Sequence, residues 1–100
     1  MADEYATAYR TLPFVPGDRY NGDTIAMPTR QALSGTAWYL LFALRKGYDG
    51  SMAHVRPEDL FRIARRVTGA RDVTIRRAIA RLVAGGYLVP LASPSEGARR

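Results

Sequence analysis

The sequence predicts a mainly α fold with a small β component, a single domain of three helices followed by a short strand. Three observations lead there. Apolar residues recur at spacings of three and four on both sides of Thr68-Gly69-Ala70. An earlier stretch, residues 33–46, is apolar nearly all round. Gly85-Gly86 then halts the last helical run ahead of Tyr87-Leu88-Val89, which has the composition of a strand. One hundred residues, 47% of them hydrophobic, are enough for one compact core and too few for two.

Residues 1–12 show no clear period and read as a loosely held arm or a short helical start. Pro13, Pro16-Gly17-Asp18, Asn21-Gly22 and Pro28 break any helix between residues 13 and 28. Asn-Gly tolerates positive φ, which allows a small hairpin with residues 24–27 as its return strand. Residues 1–24 are therefore an arm or small hairpin, 25–91 the folded domain, and 92–100 a flexible basic tail. The first helix should start after Ser34, with Ser34 as its cap and Leu33 and Trp38 forming a hydrophobic staple, and run to about Lys46. Its apolar girth makes it the central helix of the core or a dimer contact, and Gly47 suits a left-handed stop. Tyr48-Asp49-Gly50-Ser51 reads as a turn and residues 52–56 as a short extended segment.

Pro57-Glu58-Asp59 suits a helix start, because proline gives up no needed hydrogen bond there and the acids face the positive end of the dipole. Leu60, Ile63, Ala64 and Val67 form its buried stripe. In the third helix, residues 72–84, the stripe is Ile75, Ala78, Ile79 and Leu82. Two short amphipathic helices around a tight break, then a strand, read as a helix-turn-helix with the start of a wing.

Charge placement agrees with that reading. The net charge is +6, yet the first half balances five basic residues (Arg10, Arg19, Arg30, Arg45, Lys46) against five acids (Asp3, Glu4, Asp18, Asp23, Asp49). The second half sets ten arginines against Glu58, Asp59, Asp72 and Glu96, so the whole excess lies there. Such asymmetry favours a polyanion on one face, because released counterions drive nucleic-acid binding. On a helical wheel Val73, Arg77, Ala80 and Ala84 lie opposite the third helix's buried stripe, flanked by Arg76 and Arg81. Small residues let such a face approach DNA closely. Arg76 and Arg77 are candidates for base contacts, since the guanidinium fork pairs bidentately with guanine. Arg71, Thr74 and Arg81 are candidates for phosphates, and Arg99 and Arg100 for a minor-groove arm.

Leu60, Ala64, Gly69-Ala70, Thr74-Ile75-Arg76-Arg77-Ala78-Ile79, Leu82 and Gly86-Tyr87-Leu88 together resemble the winged helix-turn-helix of GntR-like regulators and of the amino-terminal domains of plasmid and phage replication initiators. The stretch Ala32-Leu33-Ser34-Gly35-Thr36-Ala37-Trp38-Tyr39-Leu40-Leu41 is similar to the first helix of the initiator group. The resemblance covers residues 25–91. It implies that Thr74-Ile75-Arg76-Arg77 lies on a recognition helix in the major groove and that the glycine before the strand turns the chain into the wing. Two departures stand out. Arg71 replaces the small polar cap of the recognition helix, leaving Asp72 to take over capping and shift the start by one residue. After Leu91 little chain remains for a return strand, so the wing is short or incomplete.

Other classes of function find little support. The carboxylates are scattered or sit at turns and helix starts, His54 stands alone, and no phosphate-binding loop precedes a helix. No cysteine is present to hold a metal. The expectation is a non-enzymatic, cytoplasmic protein without cofactor or metal, acting on double-stranded DNA as a small transcriptional regulator. Its homodimer would form through Trp38, Tyr39 and Phe42 or the amino-terminal arm. Two alternatives stay open, a replication, partition or excision factor of a mobile element and a winged-helix adaptor for protein contacts. No apolar run is long enough to span a bilayer, so no membrane partner is expected.

Overall fold

A computed structural model of the chain describes residues 8–20, 25–47 and 55–91. In chain order they form strands β1 (Ala8–Thr11), β2 (Arg19–Tyr20) and β3 (Ala26–Met27), helices α1 (Gly35–Gly47), α2 (Pro57–Thr68) and α3 (Asp72–Ala84), and strand β4 (Leu88–Leu91). The architecture is mainly helical with a small β component. The Asn21-Gly22 turn, the Tyr48-Asp49-Gly50-Ser51 turn, residues 52–54 and the tail 92–100, with Arg99 and Arg100, lie outside the described residues.

Helix α1 is the central element, packed against both α2 and α3. It buries Ala37, Leu40, Leu41 and Leu44 against Leu60 and Ala64 of α2 and Ile75, Ala78, Ile79 and Leu82 of α3, with Val55 and Leu88 closing the cluster. The chain enters α1 directly after Ser34 through Gly35, whose φ of 64° is a conformation that glycine adopts without a Cβ clash. On α2 the expected stripe is narrower than its spacing suggests. Leu60 and Ala64 are buried, Ile63 is half-buried and Val67 is exposed, while Phe61 packs against the core instead. Val67 lies in the last turn, where the chain is already leaving α1.

The carboxyl ends of α2 and α3 are both closed by backbone geometry. Gly69, at φ 69°, donates its N–H to the Arg65 carbonyl at 2.8 Å and ends α2. Thr68 Oγ1 donates to the Ala64 carbonyl and accepts from the Ala70 N–H, bracing the three-residue connection. At the end of α3, Gly86 is left-handed (φ 83°) and donates to Val83, and Tyr87 donates to Leu82, the paired bonds of a Schellman stop. Tyr87 then packs over Gly85, where a Cβ would lie 2.6 Å from the ring. Gly85→Ala must push Tyr87 out of its buried position, and we expect a loss of about 1–3 kcal/mol, measured by urea unfolding.

The amino-terminal segment, expected as an arm or helical start, is instead a strand over Ala8–Thr11. It pairs antiparallel with β4, Ala8 opposite Leu91 and Thr11 opposite Leu88. The Leu12 N–H donates to the Tyr87 carbonyl at 3.2 Å, so Arg10 and Val89 form the next hydrogen-bonded pair along the ladder. The backbone groups of Tyr9 then face the other edge, where they exchange two bonds of 2.8 Å with Val55. The same alternation turns Pro90 toward the open edge of β4, where its missing N–H interrupts no ladder. The strand that pairs with β4 is thus supplied from before α1. The boundary expected at residue 24 is crossed by this pairing, and burial beside it pushes the Tyr9 phenol pKa up.

The hairpin β2–β3 pairs Arg19 with Met27 and Tyr20 with Ala26. A buried ion pair ties it to α1. Arg45 Nη1 lies 2.8 Å from Asp18 Oδ2 and also donates to the Ala26 carbonyl at 2.7 Å, while Nε donates to the Leu12 carbonyl at 3.0 Å. Asp18 Oδ2 additionally accepts the Val15 N–H. The two side chains are only 2% and 1% exposed, so a charge near the end of an apolar helix is sealed in by its partners.

Candidate nucleic-acid interface

Helix α3 starts at Asp72, with Arg71 in extended conformation at the cap position (φ −79°, ψ 162°) and no side chain capping it. Asp72 does not take over that role. It occupies the first helical position, and its carboxylate accepts from Arg65 Nε at 3.2 Å across the α2–α3 connection. No side chain caps the first-turn amides of α3 beside Arg71, an arrangement that suits an anion.

One stripe of α3 is buried and the opposite one is exposed. Ile75, Ala78, Ile79 and Leu82 face the core. Arg71, Val73, Thr74, Arg76, Arg77, Ala80, Arg81 and Ala84 are all exposed, so the structure brings every described candidate onto one face. Val73 is 55% exposed despite its apolar, β-branched side chain. Arg81 sits at the far end and is partly committed, because its Nη2 donates to the Ala32 carbonyl at 3.1 Å and staples α3 to the turn before α1.

The arginine count overstates the free positive charge. Arg56 pairs with Glu58 at 3.1 Å, Arg62 with Asp59 at 2.7 Å, and Arg65 with Asp72. Glu58 is held below the usual carboxylate range, first by hydrogen bonding to its own backbone amide and then by Arg56. These pairs are exposed and add little stability, but they neutralise much of α2. Arg66 in the last turn of α2 and Arg71, Arg76 and Arg77 form no ion pair among the described residues, which places unbalanced charge on the end of α2, the turn that follows and α3.

A further cation was not singled out from the sequence. The Arg30 guanidinium lies 4.0 Å from the Trp38 ring centroid and 5.0 Å from that of Tyr39. Trp38 is anchored by its indole N–H to the Pro28 carbonyl at 2.9 Å and stacks on Phe42, and Lys46 lies 5.6 Å from the Phe42 ring. The aromatic face suggested as a dimer contact is thus overlaid by cations of its own chain. Only the path of residues 28–34, which folds back on α1, creates this arrangement, so no local pattern could have signalled it.

No helix among the described residues is long and apolar enough to cross a membrane. Comparison with protein-family models, curated proteins and solved structures returned no match.

Proposed function

We propose that the chain is a sequence-specific double-stranded DNA-binding protein of the winged helix-turn-helix type, acting as a small transcriptional regulator with α3 in the major groove. The observation that carries this reading is the exposed face of α3, where Val73, Thr74, Arg76, Arg77 and Ala80 form a slim ridge that is basic and free of acids. A ridge centred on alanine lets a helix enter a groove about 12 Å wide, and paired arginines reach guanine edges. Val73 offers an apolar contact for a thymine methyl group. The uncapped first-turn amides and Arg71 would hold a phosphate and set the register. The antiparallel β1–β4 ribbon takes the place of a wing beside the helix pair.

Selection from a random duplex library with purified protein tests the reading. An enriched motif containing guanines is the expected outcome. Absence of enrichment, with no retention of unrelated DNA even at low salt, would overturn it in favour of a protein-binding role.

A further inference from the structure

We propose that Arg30, held over Trp38 and Tyr39, is an additional phosphate clasp that extends the DNA footprint beyond α3 to the turn before α1. The inference rests on the DNA-binding reading above and adds a contact to it. Arg77 and Arg81 are four residues apart and so lie one above the other on α3. Arg81 carries that line across to the Ala32 carbonyl, two residues beyond Arg30. Arg77, Arg81 and Arg30 therefore follow one another from the groove-facing helix to the turn.

The chemistry of Arg30 suits a phosphodiester. With its central carbon 4.0 Å from the Trp38 ring centroid, the guanidinium makes a cation–π contact that does not consume its five N–H donors. No acid among the described residues pairs with it. Trp38 is fixed through its indole N–H, so the guanidinium rests on a rigid support and loses little entropy on gripping an anion. Phosphate oxygens are acceptors alone, and they can take N–H donors that the cation–π contact leaves unused.

The test is the salt dependence of binding to the selected duplex, read by anisotropy of labelled DNA. Arg30→Ala is expected to reduce the slope of log K against log salt by about 0.9 and the affinity about five- to tenfold near 0.1 M salt, while leaving the preference for selected over random DNA unchanged. Arg30→Lys should retain most of the slope. Arg10→Ala, on the sheet face away from the helices, should behave as wild type. Trp38 is the single tryptophan, so wild-type emission should change on DNA addition and the change should disappear in Arg30→Ala. A wild-type slope in Arg30→Ala overturns the clasp while the DNA-binding reading stands; no binding by the wild-type protein at any salt overturns both.

Discussion

Replacing Arg76 and Arg77 together by alanine is expected to lower affinity for the selected DNA site by about 30- to 10⁴-fold, because each bidentate arginine–guanine pair contributes roughly 1–3 kcal/mol of discrimination. The two residues are exposed, lie on the face opposite the buried stripe and form no ion pair among the described residues. Their removal should therefore leave the fold intact, which circular dichroism and an unchanged melting temperature would verify. The signature lies in what else is lost. Binding to random DNA should fall much less than binding to the site, since phosphate contacts from Arg71 and the first-turn amides remain. Arg10 provides the comparison. It projects with Val89 from the outer face of the β1–β4 ribbon, whereas their neighbours Thr11 and Leu88 are buried. Equal losses in Arg10→Ala and in the double variant would remove α3 from the reading role.

The second large effect concerns stability. Asp18→Ala leaves the Arg45 guanidinium buried without its counter-charge, and a loss of about 3–5 kcal/mol is expected, a large share of the 5–15 kcal/mol typical of a domain. At roughly 4–8 °C per kcal/mol this corresponds to a melting temperature lower by about 12–40 °C. Asp18 holds more than the ion pair, because the same oxygen accepts the Val15 N–H at 2.8 Å. Removing both charges is a different perturbation. Asp18→Leu combined with Arg45→Met should recover only part of the loss, since apolar side chains remove the unpaired charge but leave the Val15 N–H and the Leu12 and Ala26 carbonyls without these partners. A small effect of Asp18→Ala in thermal and urea melts would mean that water reaches Arg45 and that the hairpin is not latched to α1.

The parts of this fold that could be read from sequence are those specified locally. The limits of α3 follow from its own apolar spacing and from Gly85-Gly86, whose Schellman bonds involve only residues 82–87. Pro57 and Gly69 punctuate α2 in the same way. What escaped the reading depends on distant partners. Ala-Tyr-Arg-Thr carries no alternation, and β1 is a strand because Leu88–Leu91 and Val55 supply its ladder. Arg45 reads as a helix-end cation, and its burial depends on Asp18, 27 residues earlier. The candidate site divides likewise. The exposed face of α3 follows from helical geometry, whereas the neutralisation of Arg65 by Asp72 and the seating of Arg30 on Trp38 need the packed structure.

The place of β1 between Val55 and β4 also orders events in time. Contacts among the three helices and across the Thr68-Gly69-Ala70 connection close short loops and can form early. The register Ala8 with Leu91 joins residues from opposite ends of the described chain, the costliest loop closure among the described residues. Among the described residues, a chain emerging from the ribosome meets the first ladder partner of β1 at Val55 and completes the ribbon only when β4 is made. Loop-closure cost therefore favours helical association first and the ribbon last.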